Sequence, residues 1–302
     1  MKRILWSGTL LWAIAMASSC GSAMPASNQR PKIVVTTGML ADMVEHIVGD
    51  SATVVALMRP GVDPHLYKAS LNDLQHIVDA DYLVYNGLDL EGRLARVLHK
   101  QAAAKPVVSV GDSLGTGLLR HGSVYDPHIW FDVALWRDAT LLAAEALGQL
   151  NPAHRQYYLA NARAYADTLD MLDQWVRSEI QSIPAERRVL ITAHDAFSYF
   201  GMAYGIEVRG LQGISTISEF GLRDVTELVD FVIDRRIPAI FLETSVSGRS
   251  LQAVVAGARD RGHAFRIGGQ LYADAMGPPG TPAGTYVGMV RHNVHTIVNA
   301  LR

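Results

Sequence analysis

Residues 151–183 read NPAHRQYYLANARAYADTLDMLDQWVRSEIQSI, and the spacing predicts one long helix. Asn151 carries the side-chain oxygen an N-cap needs to accept from a first-turn N–H. Pro152 stands at the first helical position, where its missing N–H costs nothing. Pro184 closes the segment, because a proline ring collides with the turn before it. Leu159, Ala162, Ala166, Leu169, Leu172, Val176, Ile180 and Ile183 recur at steps of three and four, which puts them on one apolar stripe. At 1.5 Å per residue such a helix runs roughly 45–50 Å, longer than a small domain needs. At mid-chain it is expected to be a spine between two halves. A core helix of one large domain is the plainer alternative, and the pattern on either side favours the spine.

Upstream, β-branched runs over 32–37, 52–58, 82–85 and 107–110 read as strands, with helical patterns over 39–48, 71–79, 90–100 and 133–150. Downstream the alternation starts again: strands over 188–192, 207–211, 239–243 and 263–267, and helices over 197–204, 222–236 and 250–261. The stretch GGQLYADAMG over 268–277 then precedes a terminal helix over 284–301. Strands alternating with helices predict parallel sheets covered on both faces. The expected fold is α/β: two lobes, each with a mainly parallel sheet flanked by helices, joined by one long helix. The N-terminal lobe spans 32–150, the linking helix 151–183 and the C-terminal lobe 184–302, each lobe being of ordinary domain size.

The composition suits that division. The chain has 302 residues, 49% hydrophobic and 19% charged, with a formal net charge of −2, enough apolar material for two cores. Near-neutral charge without a local Lys/Arg run leaves no footprint for nucleic acid. The first residues read as export machinery: Lys2 and Arg3, an apolar run over 4–16, then Ala17-Ser18-Ser19-Cys20. This looks like a lipobox. Residues 1–20 are the expected lipoprotein signal peptide ending at an acylated Cys20, with 21–31 as a tether; a secretory signal cut near Ala23 is the alternative. Cys20 is the single cysteine, so no internal disulfide can form. The expectation is an exported, extracytoplasmic or periplasmic protein, lipid-anchored to a membrane face with nothing crossing it.

Eleven histidines occur. His46, His76, His99, His154 and His263 fall in or beside helices and strands, where packing or solvation explains them. His292 and His295 share a helix face, again more simply solvated or packed than metal-bound. His121 stands alone in a polar loop. His65 and His128 differ, because each ends an Asp-Pro-His tripeptide whose proline stiffens the loop presenting the imidazole. His194 directly follows a hydrophobic strand, and Asp274 follows the last strand in LYADAMG. Ligands of open α/β sheets bind beyond the carboxyl ends of strands, so each half offers two candidate donors. Three imidazoles and one carboxylate suit a divalent transition metal. Asp63, Asp126, Asp195 and Glu243 are candidates to accept an imidazole N–H and set its tautomer, although a loop cap or surface ion pair would account for each equally well. Imidazoles bind metal only when neutral, so affinity is expected to fall as pH drops through roughly 6.5.

In order, PGVDPHLY, NGLDLE, DPHIWFD, ITAHDAFSYFGMAYG, GLQGIST and LYADAMG resemble the metal-binding solute receptors of ABC importers, the TroA/ZnuA/PsaA type, over nearly all of 32–301. The resemblance implies two α/β lobes on a long helix and Zn²⁺ or Mn²⁺ held in the cleft by the positions matching His65, His128, His194 and Asp274. It implies delivery to an ABC permease with its ATPase by a monomeric carrier. Manganese-specific relatives often carry a glutamate at the third position, where this chain has His194. The zinc-specific branch commonly has a long His-rich loop, where this chain has only 112–125 with His121. The pattern resembles the branch that takes both metals. Raw affinity favours Zn²⁺ at almost any nitrogen-rich site, and a bidentate Asp274 would suit Mn²⁺. Two rival readings are weaker. An exported metallohydrolase using the same four residues lacks an HExxH motif and an open coordination position, and a metal-dependent adhesin, a cell-adhesion role attached to the family, has no dedicated aromatic surface. With its one cysteine in the signal and no GxSxG, the chain is expected to be no enzyme.

Overall fold

A computed structural model describes residues 30–115, 118–217 and 220–302. The expected signal peptide, Cys20 and most of the tether lie outside the described residues.

In the first half, β1 (Lys32–Val35) is flanked by β2 (Thr53–Ala56) and β3 (Tyr82–Tyr85), with β4 (Val107–Ser109) beyond, in the parallel order β2-β1-β3-β4. The registers Val34↔Val55 and Val34↔Leu83 bring the carboxyl ends of these strands to one edge. Helices α1 (Gly38–Val48), α2 (Leu71–Asp79) and α3 (Arg93–Gln101) make the crossovers. Their starts follow from local chemistry: the Thr37 hydroxyl accepts from the Leu40 N–H, and Ser70 with Asp73 forms a capping box. A short antiparallel hairpin, β5 (Arg120–His121) and β6 (Val124–Tyr125), occupies the segment expected to be plain loop. Two residues per strand are too few for alternation to register in sequence. Asp132 then caps α4 (Val133–Leu150) by accepting from the Ala134 and Leu135 N–H groups.

The spine is α5 (Arg155–Gln181), about 40 Å long. It starts later than the sequence indicates. Asn151 ends α4 rather than capping α5, its side-chain amide donating to the Tyr158 hydroxyl at 3.2 Å, and a 3₁₀ turn over Pro152–His154 intervenes. The apolar stripe is otherwise as expected, with Ala162, Ala166, Leu169, Leu172, Val176 and Ile180 buried and Leu159 partly so.

In the second half, β7 (Val189–His194) is buried along its whole length. With α6 (Ser198–Tyr204) between them, it pairs parallel to β8 (Glu207–Gln212). After α7 (Leu222–Asp234) come β9 (Ala239–Glu243), α8 (Arg249–Asp260), β10 (Arg266–Leu271) and α9 (Tyr286–Leu301). Strand β9 pairs parallel to β10 and lies beside β7. Gly268 and Gly269, past the end of the strand expected over 263–267, belong to β10. A Cβ on Gly268 would stand 2.8 Å from the Ala300 Cβ and from the Phe241 ring, so their absence of side chain lets α9 pack flush on the sheet.

The cores also differ from the expected pair. One continuous apolar cluster runs from Ile33 and Met43 through Trp136 and Leu169 to Phe241 and Leu301, with a smaller cluster on the outer face of each sheet. Helix α5 is bonded into both halves. Tyr165 and Asn161 donate to Asp42 and the Ile47 carbonyl of α1, while Arg177 donates to the Ala203 carbonyl of α6 and Asp173 accepts from Tyr204.

Candidate metal centre

The four candidate donors come from strand ends and loops of both halves and meet in one place. His65 comes from the loop after β2, His128 from the loop before α4, His194 ends β7, and Asp274 follows β10. One donor atom from each lies within 4.8 Å of all the others, and the residues are buried, His65 at 5% exposure and the other three at 2% or less. His65 Nε2 is 3.4 Å from His128 Nε2. Asp274 reaches both remaining rings, with Oδ1 3.4 Å from His128 Nε2 and Oδ2 3.3 Å from His194 Nε2. Tetrahedral donors about 2.0–2.1 Å from one ion stand roughly 3.3–3.4 Å apart, the separation of these three pairs. Neither Asp274 oxygen nor His194 Nε2 has a hydrogen bond of acceptable geometry. Buried polar atoms left so are costly unless something else satisfies them, and a cation at the centre would satisfy all three.

The outer nitrogens set the ring orientations. His128 Nδ1 donates to Asp126 Oδ1 at 2.8 Å, and the same oxygen accepts the His128 backbone N–H at 2.9 Å. His194 Nδ1 donates to Glu243 Oε2 at 2.5 Å, while Oε1 accepts the Ala193 and His194 N–H groups. Each pairing turns a ring's Nε2 inward. Asp63 acts on the backbone instead, accepting the His65 N–H at 2.9 Å with Oδ1 and the Thr216 hydroxyl at 2.6 Å with Oδ2. Asp195 turns elsewhere. It accepts from Ser198 at 2.7 Å and lies 3.8 Å from His121 Nδ1, so its carboxylate sits at the rim rather than behind a donor ring.

Burial and charge pull the three imidazoles apart. Burial, with the other two imidazoles nearby, takes His65 down to about 3 against the attraction of Asp274. Burial also pulls on His128, but Asp126 and Asp274 outweigh it and hold the ring at about 9. His194 is likewise raised well above its usual value, since Asp274 and Glu243 overcome its desolvation, and these two imidazolium rings keep Asp274 well below the ordinary carboxylate range despite complete burial. The expected midpoint near 6.5 therefore does not describe this site. Two rings beside buried carboxylates hold protons well above it.

Two cavities reach the donors. One of about 300 Å³ opens on His65 between Leu88, Tyr125, Asp195, Ile214 and Ile217. Another of about 280 Å³ reaches Asp274 from the α1 side, past Asp42, Glu45 and Arg59. Of the other histidines, His121 lines the His65 cavity beside Asp195, His292 bonds the Gln270 carbonyl, and His295 packs edge-on to Trp175. Sequence reading missed the crossing contacts that brace the centre. Trp130 Nε1 donates to the Ala273 carbonyl at 3.1 Å, Tyr286 to the Trp130 carbonyl at 2.7 Å, and Tyr199 to the Asp126 carbonyl at 3.2 Å. It missed Thr216 too. Most of these lie inside the quoted motifs, beside the donors, which was the signal available.

The family described as zinc-uptake complex component A, periplasmic (ZnuA), matches residues 33–300. The manganese-binding lipoprotein MntA of Bacillus subtilis is 46% identical over 298 residues, covering 97% of each chain. The zinc-binding protein TroA of Treponema pallidum is 45% identical over 283 residues, 93% of this chain and 92% of that one. The solved structure of the periplasmic zinc-binding TroA of Treponema pallidum superposes with a TM-score of 0.88 at 46% identity, over 90% of this chain and 99% of that one.

Proposed function

The chain belongs to the ZnuA family of periplasmic zinc-uptake components, and from that membership we propose that it captures Zn²⁺ or Mn²⁺ in the cleft and hands it to an ABC permease driven by a separate ATPase. His65, His128, His194 and Asp274 are the proposed ligands, with Asp126 and Glu243 orienting two rings and Asp63 holding the His65 loop. The observation that carries this reading is the convergence of four buried donors from both halves, with both Asp274 oxygens lacking hydrogen bonds. The metal is cargo, and the protein a carrier rather than an enzyme. Four protein donors leave a tetrahedral ion no open position for an activated water.

The proposal extends to the rest of the chain. Residues 1–20 direct export, Cys20 carries the lipid that ties the protein to the membrane, and 21–31 is the tether. The receptor is monomeric, with lobes 32–150 and 184–302 joined by the segment 151–183, whose helical spine is α5 (Arg155–Gln181).

Metal analysis of protein lacking residues 1–20, exposed to Zn²⁺ and Mn²⁺ in competition and repeated on His194→Ala, tests the reading. One tightly held ion per chain is expected, weakened at least tenfold by the substitution. No stoichiometric metal in the unsubstituted protein would overturn it.

A further inference from the structure

A second carboxylate is buried in the first half, away from the four donors. Glu91 is 0% exposed and pairs with no cation among the described residues. Its Oε1 accepts the Thr36 hydroxyl at 2.7 Å and the Asn86 N–H at 2.7 Å, and Oε2 accepts the Gly87 N–H at 3.2 Å. Thr36 and Asn86 directly follow β1 and β3, so one carboxyl group ties the ends of both central strands. A buried carboxyl is costly unless its environment bonds it well, and here those bonds hold one turn.

That turn is tightly wound. Gly87, Leu88, Asp89 and Gly92 all have positive φ, at 80°, 53°, 64° and 47°, and the left-handed region is uncommon for residues with a Cβ. Both ends of the turn touch donor loops. The Asn86 side-chain amide donates to the Pro127 carbonyl at 3.0 Å, adjoining His128. A Cβ on Gly92 would stand 3.0 Å from the His65 carbonyl oxygen, so the backbone there lies against the His65 loop. In the second half Glu243 holds the backbone N–H groups of Ala193 and His194 in the same manner, at the end of β7.

We propose that Glu91 is a positioning residue for the N-terminal pair of donors: it shapes the 86–92 turn, which holds the His128 loop through Asn86 and the His65 loop through Gly92. It does not touch the ion. Glu91 and Glu243 thus serve the two halves in parallel, one through a turn and one directly through a ring. The inference rests on the four-donor reading above.

The test uses the protein lacking residues 1–20, with Co²⁺ as a spectroscopic probe of coordination and Zn²⁺ release into a chelator as the rate. Glu91→Gln keeps the shape but sets an NH₂ group against a backbone N–H, and Gly92→Ala pushes on the His65 carbonyl from the other end. Both are expected to release Zn²⁺ at least tenfold faster and to alter the Co²⁺ d–d bands. Ile77→Ala, a buried change in α2, is expected to lower the melting temperature while leaving release and spectrum as in the parent. Parental release and spectra in Glu91→Gln and Gly92→Ala would overturn the proposal, as would equal acceleration by Ile77→Ala. Should Glu91→Gln not fold, Gly92→Ala decides. A His65→Ala variant in the same series separates the two layers: if it also matches the parent, the four-donor reading itself fails.

Discussion

His65 and His128 are neighbours with opposite protonation, and the difference comes from what stands behind each ring. His65 is buried with no carboxylate on its outer nitrogen among the described residues, so it is neutral across physiological pH. His128 and His194 each face two carboxylates and keep a proton until an ion displaces it. Capture near neutrality should therefore release up to two protons, and apparent affinity should climb roughly 10–100-fold per pH unit towards pH 9. Calorimetry in buffers of different ionisation enthalpy reads the proton count; a count near zero would contradict the assignment. Stability carries the same sign. The folded value of His128 lies above its unfolded one, so its contribution is complete below about 6.5 and is lost as pH rises through about 9. The melting temperature of metal-free protein should drop by a few degrees over that window from this group, and the metal-loaded protein, whose rings are already deprotonated, should not show the loss.

The elements carrying the donors are held unequally. The segment 126–133 is pinned to the second half by Trp130, Tyr286, Tyr199 and Tyr204, whose bonds reach the Ala273, Trp130 and Asp126 carbonyls and the Val133 N–H. The His65 loop is linked across the cleft by the Thr216 hydroxyl on Asp63. With α5 bonded into both halves, a stiff connector confines change to loops, and the His65 loop should move first and admit or free the ion. Hydrogen exchange should show amides over 61–70 protected by metal far more than those over 128–133. Thr216→Val, which keeps the shape and removes the donor, should speed Zn²⁺ release several-fold with little change in melting temperature; unchanged release would mean the Asp63 contact is not a latch.

Across the whole molecule, the continuous cluster from Ile33 to Leu301 makes the two halves one cooperative body around α5. Leu169 lies near its middle and is fully buried. Leu169→Ala should cost about 2–5 kcal/mol through lost burial and the cavity left behind, lowering the melting temperature by roughly 5–15 °C. Circular dichroism and tryptophan fluorescence should still report one transition, and two resolved transitions would show the halves to be separate folding units. Among the described residues no helix is long and apolar enough to cross a membrane.

Much of this was already legible in the chain itself. Step-three and step-four spacing depends only on helical geometry, so the α5 stripe and the α/β alternation were readable residue by residue. The four candidate donors that meet in the structure could be singled out because Asp-Pro-His loops and strand ends carry local signals. Start points resisted: Asn151 had the chemistry of a cap, but the close turn of α4 onto α5 gave its side chain to Tyr158. Gly268 and Gly269 lay past the strand expected over 263–267, yet they belong to β10, packed close against α9. Asp195 was as much a candidate as Asp126 to orient a ring, yet its partners are Ser198 and His121. The protonation of the rings, the Glu91 turn and the merged core depend on which groups meet across long stretches of chain. Local patterning sets elements and candidate chemistry because its causes lie within a few residues. Desolvation and charge pairing at the cleft were decided by tertiary contact alone, since the energies involved exist only once distant residues share a dry interior.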